Sequence, residues 1–84
     1  MMIEIRYFAR FREELESEGE AIEAASADSV EALLNLLRSR EGAWSILFAE
    51  DQRVMVAVNQ ELAEKVTPIR DGDEMALFPP VTGG

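Results

Sequence analysis

The sequence predicts an α+β fold, a mixed sheet covered by one main helix, with a flexible tail leaving the last strand. Three observations carry this. Ile3, Ile5 and Tyr7 alternate with Glu4, Arg6 and Phe8 near one end of the chain, and Met75 and Leu77 alternate with Ala76 and Phe78 near the other. Between them, Val30, Leu33, Leu34 and Leu37 recur at the i, i+3, i+4, i+7 spacing of one buried helix face.

Ile3 to Tyr7 reads as a half-buried strand, and Arg10 to Leu15 as a short helical turn. A glutamate-rich connection containing Gly19 follows. Glu20 to Ala25 alternates only weakly, with Ala21 and Ile22 its candidates for pairing. Asp28 and Ser29 offer helix caps, and Asp28 with Glu31 has the capping-box spacing. Arg38 and Arg40 suit the negative end of the helix dipole, and Gly42 is placed to end the helix. Trp44, Leu47 and Phe48 repeat at i, i+3, i+4 and predict a second short helix that belongs to the core. Val54, Val56 and Val58 form a β-branched strand, Asn59-Gln60 a tight turn, and Glu61 to Ala63 a short partner strand. Asp71-Gly72-Asp73 marks a turn into the final strand. A hairpin, a helix and a closing strand suit one helix layer against a mixed sheet, with the first and last strands side by side. Residues 1–84 are therefore expected to form a single domain, with 79–84 its extended tail.

Composition removes many functions. The chain has no cysteine and no histidine, which rules out disulfides, thiol nucleophiles, cysteine or histidine metal sites and imidazole acid–base chemistry. No motif sets two carboxylates around a cleft, so catalysis by the chain's own side chains is not expected, and no metal site is predicted. The net charge is −9, with Lys65 the single lysine. Such a surface repels nucleic acid and anionic lipid and favours a basic partner. Six glutamates lie between Glu13 and Glu23, and their plain reading is a solvated surface. There is no apolar run of about 18 residues and no secretory pattern at the N-terminus, so a cytoplasmic location is expected.

The tail is the most informative segment. Everything from Met75 to Gly84 is uncharged in a chain whose residues are 30% charged. Pro79 and Pro80 hold its first part extended and remove two backbone donors. Val81 and Thr82 lead into Gly83 and Gly84, which carry no side chain. A rod ending in a bare carboxylate fits a channel too narrow for any Cβ, and six residues reach at most about 20 Å. At the base of this rod, alternation turns Phe8 and Phe78 outward when their neighbours point inward. Leu62 is expected to be exposed beside them, and Arg12 could frame the patch.

Tyr7-Phe8-Ala9-Arg10-Phe11-Arg12-Glu13, Val56-Ala57-Val58-Asn59-Gln60, Asp71-Gly72-Asp73-Glu74-Met75-Ala76 and Phe78-Pro79-Pro80-Val81-Thr82-Gly83-Gly84 resemble the small, sulfur-carrier subunit of molybdopterin synthase, the MoaD family. The resemblance spans essentially the whole chain and departs from the family chiefly over Glu14 to Glu23. It implies a ubiquitin-like β-grasp fold, in agreement with the element order. It implies that a MoeB-like adenylyltransferase, using ATP and magnesium, adenylates the Gly84 carboxylate. A persulfide sulfur donor then converts the adenylate to a thiocarboxylate. A MoaE-like large subunit receives the tail, and the sulfur passes to cyclic pyranopterin monophosphate. Phe8, Arg12, Leu62 and Phe78 would be the partner contacts, and the chain itself would bind no cofactor. The alternatives are a sulfur carrier of the thiamin-thiazole type, a ubiquitin-like modifier, and an interaction module with an inert tail.

Overall fold

Five strands and three helices follow one another along the chain in a computed structural model, which describes residues 1–24 and 27–80. They are β1 (Met2–Tyr7), α1 (Ala9–Leu15), β2 (Gly19–Glu23), α2 (Val30–Arg38), α3 (Ala43–Leu47), β3 (Met55–Val58), β4 (Glu61–Leu62) and β5 (Glu74–Phe78). The sheet order is β2-β1-β5-β3-β4. β1 and β5 run parallel in the middle, with Ile5 opposite Met75 and Tyr7 opposite Leu77, and every other pairing is antiparallel.

One face of this sheet is dry. Ile3, Ile5, Met75 and Leu77 are fully buried, and Tyr7, Ile22 and Val56 nearly so. α2 lays Val30, Leu33, Leu34 and Leu37 against them, and α1 and α3 with the residue after it add Phe11, Leu15, Leu47 and Phe48. Burying each such side chain is worth about 1.5–3 kcal/mol. The Phe11 and Phe48 rings meet edge to face at 5.2 Å, a favoured aromatic geometry.

The helix ends differ from the sequence expectation. Ser29 caps α2, its hydroxyl accepting from the Ala32 N–H at 3.2 Å, and the Asp28–Glu31 box does not form. The Val30 and Glu31 amides instead donate to the carbonyls of Thr67 and Lys65, both at 2.9 Å. The segment after β4 therefore satisfies donors that a helix start leaves open. α2 ends at Arg38, four residues before Gly42, which begins α3 with φ 80°. Arg38 Nε donates to the Phe48 carbonyl at 2.7 Å and ties the two helices together.

Gly19 opens β2 where the chain passes close to β1. A Cβ there would collide with the Ile5 carbonyl oxygen, a backbone atom that cannot step aside. Beside it, a polar network crosses the domain. The Tyr7 hydroxyl donates to Glu20 Oε2 at 2.7 Å and accepts from Trp44 Nε1 at 3.1 Å. Arg40 grips the same carboxylate with both nitrogens, at 2.9 and 3.0 Å, and its guanidinium lies 5.4 Å from the centre of the Trp44 ring. The Arg40 bonds, joined by the Tyr7 hydroxyl, hold the Glu20 carboxyl below its usual range, and burial holds the Tyr7 phenol well above its own.

Candidate functional site

The opposite face of the sheet is open, and strand register decides which side chains share it. Met55 stands opposite Phe78, Ala57 opposite both Ala76 and Leu62, and Arg6 opposite Ala76. Two lines therefore cross the sheet. One runs Arg6, Ala76, Ala57, Leu62. The other joins Phe8, Phe78 and Met55, because the Phe8 N–H donates to the Leu77 carbonyl at 3.1 Å and so extends the β1 ladder by one residue. Ala9, at φ 53°, then turns the chain sharply into α1 and leaves Phe8 outside.

Of the residues predicted from sequence, Phe8 is 46% exposed and Leu62 72% exposed. Phe78 is half-buried on the same face, so it serves packing and surface together. Arg12 is exposed on α1, off the sheet ladder, beside the stripe that buries Phe11 and Leu15. Pro79 and Pro80 follow β5 directly and are half-buried. Val81, Thr82, Gly83 and Gly84 lie outside the described residues. Sequence reasoning missed Met55, Ala57 and Ala76, which complete the apolar floor, and Arg6, whose Nε lies 3.5 Å from Glu74 at its border. The signal was present: these positions are out of phase with Val56, Met75 and Leu77.

The rim is fixed by a two-residue hairpin turn. Asn59 and Gln60 take φ 50° and 71°, the left-handed pair that suits a twisted hairpin. The Asn59 side chain also locks this turn to β5. Its Oδ1 accepts from the Glu74 N–H at 3.0 Å, and its Nδ2 donates to Asp73 Oδ1 at 3.0 Å. Among the described residues, no group of three or more metal-ligating side chains comes together. Also among them, no helix is long and apolar enough to cross a membrane.

The strand order, the helix across one face and the apolar patch on the other define a ubiquitin-like β-grasp protein. The chain belongs to the ThiS family, which it matches over residues 5–84, and within that family to the MoaD sulfur carriers. It is 40% identical to the molybdopterin synthase sulfur carrier subunit of Escherichia coli K12, over 99% of this chain and 100% of that one. Subunits 1 and 2 of the molybdopterin-converting factor of Helicobacter pylori have been solved as a complex. A chain of that complex is 32% identical, with a TM-score of 0.68 and full coverage of both chains. The small archaeal modifier protein 1 of Haloferax volcanii superposes with a TM-score of 0.76 at 28% identity, over 95% of this chain and 98% of that one.

Proposed function

We propose that this chain is the sulfur-carrier subunit of a molybdopterin synthase, with Gly84 as its reacting end. The observation that carries the reading is the end-to-end match with a relative of that name, at 40% identity. The geometry supports it. β5 occupies the middle of the sheet and ends at Phe78, on the open apolar face. The chain leaves that face through Pro79-Pro80, which stiffen the exit.

In this reading a carboxylate, a poor electrophile, is first activated. A MoeB-like adenylyltransferase uses ATP and magnesium to join AMP to Gly84, releasing pyrophosphate. The terminal sulfur of a persulfide donor attacks the adenylate and AMP leaves. A second thiol of the donor system then reduces the resulting acyl disulfide, which leaves a disulfide on the donor and releases the thiocarboxylate. That group is ionised at neutral pH and is a soft nucleophile, so it needs no base from a chain without histidine or cysteine. A MoaE-like large subunit closes around the tail, which the two glycines make narrow enough to admit. There the sulfur attacks cyclic pyranopterin monophosphate, and two deliveries complete the dithiolene. Phe8, Arg12, Leu62 and Phe78 hold the carrier against each partner in turn. The face is shared, so one partner must leave before the other docks.

A test is the intact mass of the chain after incubation with the adenylyltransferase, ATP and a sulfur source. The expected product is heavier by the difference between one sulfur and one oxygen, located at Gly84. An unchanged mass beside a control carrier that is converted would sink the proposal. A second reading, a protein modifier, is favoured by the likeness to the archaeal modifier protein. It differs in predicting adducts on target lysines that survive denaturing gels.

A further inference from the structure

The edge of β2 is not used by the sulfur-carrier reading. Among the described residues, β2 ends the sheet and pairs only with β1. In an antiparallel ladder, successive residues aim their backbone groups to opposite sides. The Ala24 N–H donates to the Met1 carbonyl at 2.8 Å and the Tyr7 N–H to the Glu18 carbonyl at 3.0 Å, so even-numbered residues of this strand face β1. Ala21 and Glu23 therefore present N–H and C=O to the outside. Gly19 shares their side, but the Ser17 hydroxyl occupies its N–H at 3.2 Å and its carbonyl at 3.1 Å.

Alongside this edge runs a groove of about 470 Å³ between β2 and α2, lined by Glu23, Ala24, Ala27, Ala32, Asn35 and Leu36. Ala24, Ala27, Ala32 and Leu36, which is 38% exposed, make its apolar part, and Glu23, Asn35 and Ser39 make its polar part. A strand laid beside β2 would turn every second side chain to the groove side of the sheet and the others to the open face. The surroundings select the occupant. Glu13, Glu14, Glu16 and Glu18 are exposed before this strand, and Glu23 on it already accepts from the Met1 ammonium at 2.7 Å. A second copy carries the same net charge of −9, so pairing edge to edge would bring two acidic surfaces together.

We propose that this edge accepts an extended segment of a protein partner, alternating apolar and basic residues, as an added strand. Main-chain bonds to Ala21 and Glu23 supply the affinity, the apolar part of the groove takes the apolar side chains, and the acidic residues before the strand, Glu18 foremost, attract the cations. The patch around Phe8, Phe78 and Leu62 lies on the open sheet face, so both sites can be filled together.

The test uses the full chain, isotopically labelled, titrated with an acetylated peptide alternating valine and arginine. Hydrogen exchange at the Ala21 and Glu23 amides is expected to slow by about tenfold or more. Ala21→Pro removes an outward donor without touching a bond to β1 and should abolish binding at unchanged Tm. Glu18→Lys leaves the backbone and the Met1–Glu23 ion pair intact, should weaken binding about tenfold, and decides the matter should the proline variant not fold. Equal binding of a serine–arginine peptide would reduce the effect to charge alone and overturn the proposal. So would protection confined to the Phe8 face, or peptide-independent dimers joined through β2.

Discussion

Removing one oxygen from Tyr7 should reveal how the acidic half of the chain is secured. In Tyr7→Phe the ring stays in its buried place, but the hydroxyl between Glu20 and Trp44 is lost. A hydrogen bond to a charged acceptor contributes about 1.5–3 kcal/mol and a neutral one about 0.5–1.5 kcal/mol. Glu20 keeps Arg40, and Trp44 reaches partial solvent, so the sum is trimmed to about 2 kcal/mol. For a domain of this size that lowers Tm by roughly 10 °C. The sign of the pH dependence follows from Glu20, whose carboxyl titrates lower in the folded chain than its ordinary value of 4.5. Its stabilisation is fully present above that value and fades as pH falls through the folded-state pKa. Thermal unfolding followed by circular dichroism between pH 3 and pH 7 should therefore show a smaller acid-side loss in Tyr7→Phe than in the parent chain. A variant within 0.5 kcal/mol of the parent, with an unchanged pH profile, would refute the account of this network.

The remaining predictions concern the carrier face, the tail and one glycine. Phe78→Asp should weaken association with the large subunit by about 30-fold, the scale of an interface hot spot, while costing about 1 kcal/mol of stability. Calorimetry and thermal melts on the same samples separate the two, and an equal loss in both would make Phe78 a packing residue only. Gly83→Val should abolish thiocarboxylate transfer to the pyranopterin with Tm unchanged, and surviving product formation would defeat the narrow-channel argument. Gly19→Ala should destabilise the domain by about 2–4 kcal/mol, because the Ile5 carbonyl must move to admit a methyl group. Chemical denaturation would expose an error if the loss stayed below 1 kcal/mol.

Strands with a clean period of two were legible in the sequence, because Ile3, Ile5, Tyr7, Met75 and Leu77 each needed only to be apolar and in phase. β2 was faint for a physical reason: Ile22 is its single fully apolar inward side chain, and Glu20 fills the other inward place through Arg40 and Tyr7. That network joins residues 13 to 37 positions apart, beyond the reach of any local pattern. The helix start was ambiguous because its first amides are satisfied by Lys65 and Thr67, a tertiary contact rather than a capping box. On the open sheet face, Phe8, Leu62 and Phe78 stood out as large apolar residues, whereas Ala57 and Ala76 gained meaning only from their register.

The strand that comes last in the chain sits at the centre of the sheet. Among the described residues, without β5 the helix-linked pair β1–β2 and the hairpin β3–β4 share no strand pairing. β5 is the keystone, and assembly has to wait for contacts far apart in sequence, the slow kind to form. The segment that inserts as keystone is also the one from which the tail departs. A half-assembled chain thus lacks the open face that carries Phe8 and Phe78 side by side. Under the proposed function, a partner that gripped both across β1 and β5 would be checking that the arch has closed.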